Sequence, residues 1–373
     1  MPSSNSPTAV EPSRPRHRAA HAERQPHHLD DTEHGIPAPV LASGAPPLKA
    51  ITVPVITSLL VGAAFIAVFL AAFHAPASHG LPLGIAASDS AAARVELEIN
   101  DLDRQAMTFH RYPTAAAART AIRHDEVPAA LVADAHQHLK LLVAGAQGPS
   151  ATGSVQGTLT AALGHPIPVT DVVPLTPEDS RGLSIFYSCF GIVLAGYLFA
   201  VSSYQIAPRM ALTARIAGMA AFAVASGVTV AAIACLGLDA IPAPFATVAA
   251  VTALLAFALA ASAGLIMRAC GPAGVPLASI ALLILGNASS GGILPPQYLP
   301  AWLAPLAYAM PPGIAVRALR GASYFHEAHL AAGLALLACW TAACLTAQYA
   351  LDRTARRRAE PKATTPAPTW ATM

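Results

Sequence analysis

Six apolar segments, nearly free of charge, constrain this chain more than any other feature. The first, from Ile51 to Phe73, contains no charged residue, and a membrane-spanning helix needs roughly 20 such residues. Only 11% of the chain is charged and 54% is hydrophobic, whereas soluble domains carry about 25% charged residues. The sequence therefore predicts a polytopic α-helical membrane protein with six transmembrane helices. The other five spans are Ser184 to Tyr204, Ile216 to Leu238, Phe245 to Met267, a short one from Val275 to Leu285, and Leu330 to Leu351.

The basic residues near these spans predict how the chain is oriented in the membrane. Lysine and arginine accumulate in short loops on the cytoplasmic side, and here, with Arg317 and Arg320 as the exceptions, they fall on one side of an alternating chain. We therefore expect a multi-pass protein of the cell (plasma) membrane with both termini in the cytoplasm. The residues concerned are Lys49, Arg209, Arg215, Arg268, Arg353, Arg356, Arg357 and Arg358.

Composition divides the chain into five parts. Residues 1–48 are rich in proline, serine, histidine and mixed charge, which predicts a disordered cytoplasmic tail. Residues 49–74 form the first span, a retained helix rather than a signal peptide because so long a polar segment precedes it. Residues 75–183 suffice for one small extracytoplasmic domain. Residues 184–351 hold spans two to six, and 352–373 form a second cytoplasmic tail.

The segment between the first two spans has an alternating α/β pattern. "PTAAAARTAIRHDE" predicts a helix with Thr114 as its N-cap, and "AALVAD" and "LKLLVAG" predict two strands joined in a hairpin. Zinc-binding or catalytic histidines are conceivable here, but scattered surface histidines are the commoner case. Those residues are His110, His124, His136 and His138.

Several kinds of chemistry are missing from the sequence. It contains no G-x-x-x-x-G-K-[ST] phosphate loop, no G-x-S-x-G turn and no H-E-x-x-H motif. The middles of the spans lack the ionisable side chains that ion-coupled carriers tolerate at a cost of roughly 2.5–3.5 kcal/mol each. We therefore predict no catalytic, cofactor-binding or metal-binding residues, no enzyme activity and no nucleic-acid partner. If the protein moves a substrate, a separate protein supplies the energy.

A proline-broken apolar stretch precedes the last span, at about residues 287–325. Irregular backbone at membrane depth persists only when it is buried in protein or faces water. We therefore predict a re-entrant element with two short half-helices, Tyr298 and Trp302 at the headgroup boundary, and Arg317 and Arg320 reaching outward. A plain surface loop is the alternative. The residues that define the motif are Asn287, Ser289, Ser290, Gly291, Gly292, Pro295, Pro296, Pro311 and Pro312.

The order of these parts resembles the membrane (permease) subunit of type-2 ABC exporters, in the phage-infection-protein-like branch. The resemblance covers about residues 50–351 and rests on "LPLGIAASDS", "ARTAIRHDEVPAALV" and "NASSGGILPPQYLP" followed by "LAPLAYAMPPGIAVRALRG". The short fifth span and the extra proline of "AMPPG" depart from that pattern. The resemblance implies a homodimeric permease that pairs with a separate ATP-binding-cassette ATPase. The loop "SSYQIAPRMALTAR" is a possible ATPase contact through Gln205, Arg209 and Arg215, although these arginines could equally be positive-inside anchors.

Two functional hypotheses follow from the sequence. The first is an ABC-type export permease that moves an amphipathic or lipid-like substrate or drug across the lipid bilayer, using ATP hydrolysed by the partner. The second is a non-transporting envelope or receptor protein whose outer domain binds a ligand, a cell-wall component or a phage. A membrane enzyme ranks third because no nucleophile–base arrangement is visible.

Overall fold

A computed structural model describes residues 48–359 except 77, 135 and 137. The predicted tail at 1–48 lies outside this range apart from Leu48, as does the second tail beyond residue 359. The described chain is mostly helical and holds one five-stranded sheet. The helices are α1 (Leu48–Phe73), α2 (Asp89–Leu102), α3 (Ala115–Arg123), α4 (Pro149–Leu163), α5 (Ser184–Ile206), α6 (Leu212–Ala231), α7 (Phe245–Cys270), α8 (Gly274–Ala278), α9 (Gly286–Ala288), α10 (Leu306–Ala309), α11 (Pro311–Tyr324) and α12 (Leu330–Ala359).

The segment between α1 and α5 forms a five-stranded sheet with helices α2, α3 and α4, and we refer to this segment as the sheet domain. Its strands are β1 (Leu81–Ala86), β2 (Met107–Arg111), β3 (Ala129–Ala133), β4 (Leu139–Val143) and β5 (Val169–Asp171), in the spatial order β2-β1-β3-β4-β5. The predicted β3–β4 hairpin is antiparallel, while the other neighbouring strands run parallel. Thr114 caps α3 as predicted, since its hydroxyl accepts a hydrogen bond from the amide of Ala117 at 3.1 Å.

Alternating residues of the central strands supply two separate cores. Leu83 and Leu131 face α2 and α4, whereas Ala130 and Val132 face α3. This alternation is the period of two that a strand imposes. The sheet is therefore covered by helices on both faces, and each core also receives side chains from outside the domain, as described below.

Five helices in the described chain are long and apolar enough to cross a membrane. The fourth of these stretches, Phe245–Ala288, covers 44 residues and includes two of the predicted spans. We refer to these apolar helices as the bundle. Helix α7, the first part of the fourth stretch, is the most buried of them. Small residues such as Ala256, Ala260 and Gly264 line it, which allows the neighbouring backbones to approach closely.

Side-chain contacts fix the relative directions of the helices. The hydroxyl of Tyr204 donates to the carbonyl of Gly264 at 3.0 Å, and Gly196 lies against Leu259, so α5 and α7 run parallel. Trp340 donates to the hydroxyl of Ser262 at 2.8 Å. An ion pair between Arg268 and Asp352 further along both helices makes α12 parallel to α7 as well.

The 44-residue stretch turns back on itself at Gly271, whose φ is 57°. Beyond the turn, Ser279 lies beside Tyr197, with 2.8 Å between their hydroxyl oxygens, and Gly292 packs against Phe186. The segment from α8 to α9 therefore runs antiparallel to α5, and hence to α7. A π-helix at Ser279–Leu285 lies within it. Its residues 274–288 would extend roughly 22 Å at 1.5 Å per residue, so it is the shortest of the apolar segments, as the sequence indicated.

The close contact between α6 and α7 supplies a stability prediction. A Cβ atom at Gly227 would lie 2.4 Å from the carbonyl oxygen of Ala249, whereas one at Gly218, in the same helix, would lie 3.8 Å from its nearest neighbour. Alanine raises helix propensity by roughly 1 kcal/mol at either site, but overpacking costs about 1–3 kcal/mol. We expect Gly227→Ala to lower the thermal unfolding temperature of the detergent-solubilised protein, and Gly218→Ala to leave it unchanged or raise it. Equal effects would contradict the described contact.

Candidate functional site

The proline-broken segment joins the sheet domain to the helices. Its first residues are buried and satisfy their own backbone: Asn287 donates to the carbonyl of Leu283 at 2.9 Å, Ser289 to that of Leu285 at 2.7 Å and Ser290 to that of Asn287 at 2.8 Å. These side chains bond back to carbonyls of the preceding turn, and the carbonyls of Leu285 and Asn287 also accept from the amides of Ser289 and Ser290.

Two glycines then carry the chain beneath the sheet domain. Gly291 has a φ of 73°, and Gly292 lies where a Cβ atom would be 2.5 Å from the ring of Phe186. Their carbonyl oxygens accept hydrogen bonds from the guanidinium of Arg320, at 3.2 and 3.4 Å. Burial lowers the pKa of Arg320, and the nearby Asp125 opposes that shift. The expectation that Arg320 reaches outward to the membrane surface is wrong, because its guanidinium donates to these backbone carbonyls inside the protein.

The predicted prolines of the motif have two different positions. Pro295 and Pro296 follow the glycines and begin a short 3₁₀-helix at Pro296–Tyr298, with Pro296 lying against Gly291. Pro311 and Pro312 are buried and form the first turn of α11, where the missing amide donor has no cost. Pro312 packs against Gly286. The structure thus brings the two halves of the motif together.

Side chains of the same segment enter the core of the sheet domain. Leu294 and Tyr298 pack with the side chains from the strands, α2 and α4, and the amide of His79 donates to the carbonyl of Gln297 at 2.8 Å. Burial raises the pKa of the Tyr298 phenol. The prediction that Tyr298 lies at the headgroup boundary is therefore wrong, because the domain covers it. Trp302 remains exposed.

Phe325 enters the opposite core of the domain from the connection between α11 and α12. It is fully buried, and it packs with residues of α3 and with Val132. The backbone around it is tightly turned: a Cβ atom at Gly321 would clash with the carbonyl of Ala328. His326, Glu327 and His329 follow with positive φ angles of 49°, 63° and 64°, each of which costs of order 1–3 kcal/mol. Tertiary packing must hold this connection in place.

A chain of polar contacts crosses the same boundary. Arg317 donates to Nδ1 of His329 at 3.3 Å, and Nε2 of His329 lies 3.3 Å from Oδ2 of Asp125. Because a guanidinium only donates, Nδ1 accepts and the imidazole proton lies on Nε2, facing the carboxylate. Asp125 also accepts from Gln147. Tyr298 and Phe325, which enter the two cores of the sheet domain, are called the plugs below. The plugs and this polar chain together are called the junction. It encloses a cavity of about 160 Å³, lined among others by Arg317, Arg320 and Gln297.

Sequence reasoning missed most of the junction. It did not single out Phe325, His329, Asp125 or Gln147. The one available signal was Phe325 itself, a large apolar residue at the start of the polar stretch "HEAH". Its partners lie about 200 residues earlier in the chain, and periodicity carries no information on contacts so distant.

A larger cavity of about 600 Å³ lies between α5 and α6, at the end of the bundle near the sheet domain. Its walls are mainly apolar, and the hydroxyls of Ser184, Tyr187, Ser188, Ser226 and Thr229 are interspersed among them. No acidic or basic side chain lines it among the described residues. Apolar walls with a few hydroxyl groups and no charge suit an uncharged or amphipathic molecule.

The loop between α5 and α6 lies at the other end of the bundle. Gln205 and Arg209 are exposed there, and so are the apolar Ile206 and Met210. Arg215 instead is 2% exposed, donates to the hydroxyl of Ser203 and the carbonyl of Ala207, and lies over the ring of Tyr204. Arg215 therefore holds the loop from within, and the surface of the loop consists of the other residues.

Comparison of the chain with known protein families, with curated proteins and with solved structures gives no match.

The Phe325 plug supplies a second prediction. Phe325→Ala removes a fully buried ring from the core beside α3, which costs about 3–5 kcal/mol. We expect faster amide hydrogen exchange in β3 and α3 and a lower unfolding temperature. Phe245→Ala, which truncates a ring that is 36% exposed at the start of α7, is the matched control and should change neither. Unchanged exchange in Phe325→Ala would mean that the plug does not hold the domain.

Proposed function

We propose that this chain is the permease subunit of an ABC-type exporter that moves an amphipathic or lipid-like substrate and is driven by ATP hydrolysed in a separate subunit. The observation that carries the proposal is the cavity between α5 and α6, which has the size and the mixed apolar and hydroxyl lining of a site for such molecules. The resemblance of the sequence to type-2 ABC exporters points the same way.

The directions of the helices support a six-span arrangement. Helix α7 runs parallel to α5 and α12, and the segment from α8 to α9 returns antiparallel to it. In the proposed topology this returning segment is the fifth span, and both ends of the described chain lie in the cytoplasm. The sheet domain then lies outside the cell membrane, and α10 and α11 form the re-entrant element beneath it.

The proposed energy source is external because the described membrane helices hold no acidic or basic side chain in mid-span, where ion-coupled carriers place theirs. Their charged side chains lie near their ends: Arg215 at the start of α6, Arg268 at the end of α7 and Asp352 late in α12. The exposed loop between α5 and α6, with Arg209 and two exposed apolar side chains, is the proposed contact for the ATPase. Dimerisation is part of the proposal and rests on the resemblance alone.

Filling the cavity tests the proposal. Gly191 lines the cavity and a Cβ atom there has open space around it, as it has at Gly153 in α4 of the sheet domain. We expect Gly191→Trp to abolish most of the ATP-dependent uptake of a fluorescent amphiphile into inverted membrane vesicles, because the indole occupies the substrate volume. Gly153→Trp should leave uptake unchanged. Both variants should elute and unfold like the parent protein.

Three results would count against this function. Uptake that is independent of ATP would contradict an ATP-driven permease. Uptake equally fast in Gly191→Trp would mean that the cavity is not the transport site. Failure to recover an ATPase with the solubilised protein, together with no uptake at all, would favour the receptor hypothesis. Simple deletion of residues 80–180 cannot separate the two hypotheses, because it would expose Leu294, Tyr298 and Phe325, whose partners lie in that segment.

A further inference from the structure

A third cavity lies at the end of the bundle away from the sheet domain. It measures about 490 Å³ and separates the start of α6 from the end of α12. Leu212, Thr213 and Ile216 line it on one side, and Tyr349, Arg353 and Arg357 line it on the other. The residues that line this cavity belong neither to the hydrophobic core of the bundle nor to the junction.

The charge of this cavity is positive. Arg353 and Arg357 lie four residues apart on α12, which places them on the same side of the helix. Asp352 also lines the cavity, but it is paired with Arg268 of α7, so its charge is already offset. Within the described residues no ion pair involves either Arg353 or Arg357. The cavity therefore presents two cations to whatever occupies it.

The position of the cavity along the helices matches the surface of a bilayer. The uncharged part of α12 ends at Leu351, just before Asp352, and α6 begins at Leu212, so the cavity lies where both hydrocarbon-compatible segments stop. Lipid headgroups occupy this level, and basic side chains there attract anionic lipids by about 1 kcal/mol per residue.

The other lining groups suit the part of a lipid just below its phosphate. Leu212 and Ile216 give an apolar floor, and Thr213 and Tyr349 add hydroxyls beside it. Helix α6 points its amino terminus at the cavity, and its N-cap residue Ala211 has no side chain that could accept from the first amides. Free amides at a helix start add to the attraction for a phosphate, although here the two arginines supply the main charge.

We propose that this cavity binds the phosphate-bearing headgroup of an anionic phospholipid drawn from the membrane surface. Arg353 and Arg357 contact the phosphate, and the floor formed by Leu212 and Ile216 receives the glycerol and the first methylene groups. An apolar floor that continues into the membrane-facing sides of α6 and α12 favours a lipid over a free phosphate or an acidic protein surface. The proposal requires only that the helices lie in a membrane, and it is independent of whether the protein transports anything.

The test uses the full chain equilibrated with vesicles of equal parts phosphatidylglycerol and phosphatidylcholine, followed by gentle solubilisation and measurement of the lipids that copurify. We expect phosphatidylglycerol to be enriched over its proportion in the vesicles. Arg353→Gln/Arg357→Gln should weaken the binding of phosphatidylglycerol by roughly 30-fold, from two charges of about 1 kcal/mol each, and abolish the enrichment. Lys49→Gln/Arg209→Gln removes the same charge from exposed positions outside the cavity lining and should preserve it.

A second variant separates a defined site from general attraction to a basic surface. Ile216→Trp fills the cavity and leaves every charge in place, and it should also abolish the enrichment. All variants are compared only where their elution and unfolding temperature match the parent. Enrichment that survives either cavity variant, or that falls equally in the control, overturns the proposal. So does loss of ATPase recovery in Arg353→Gln/Arg357→Gln with unchanged lipid ratios, because the surface would then belong to the ATPase.

Discussion

The hydrogen bonds from Arg320 to the carbonyls of Gly291 and Gly292 are the interaction on which the junction depends. The glycine turn leaves these carbonyls without partners in a helix or sheet, and an unpaired backbone group away from water costs several kcal/mol in an apolar environment. A guanidinium has five donors in a planar fork and can serve both oxygens from one side. Because Arg320 belongs to α11, the same contact fixes α11 against the segment that precedes it.

The sheet domain is held by the helices rather than carried on a free linker. Tyr298 enters one face of its sheet and Phe325 the other, and these two residues flank α10 and α11 in the sequence. Burial of one large side chain contributes roughly 1.5–3 kcal/mol, so two plugs on opposite faces resist separation strongly. Rotation of the domain about one plug would pull out the other. The domain and the proline-broken segment are therefore expected to move together.

The sequence predicts those features that depend on local pattern. The alternation of the strands in the β3–β4 hairpin, the cap at Thr114 and the apolar stretches all follow from residues close together in the chain. The positions of Tyr298 and Arg320 did not, because headgroup-facing aromatics and outward-reaching arginines are expectations for a helix surrounded by lipid. Here a domain from an earlier part of the chain lies over both residues. Contacts of that range leave no trace in periodicity or composition.

The same limit applies to the candidate site. The serines, glycines and prolines of residues 287–312 marked the right segment because each type has a backbone role that the sequence shows directly. Arg320, which bonds to the carbonyls of the two glycines, and the plug at Phe325 are placed by packing between elements. Arg215 is the converse case: a basic residue beside a short loop suggests a surface, but its guanidinium is enclosed by Ser203, Tyr204 and Ala207.

The arginines at the two ends of the bundle differ in whether their partners lie within the chain. At the junction, Arg317 lies against His329 and the ring of Tyr308, and Arg320 against two carbonyls. Both side chains are half-buried, and each finds its partners within the chain. Arg353 and Arg357 lie on an open cavity, and in our proposal anionic headgroups supply their countercharge. A protein that lies in a bilayer can carry such cations without an ion pair of its own, because anionic lipids provide the opposite charge.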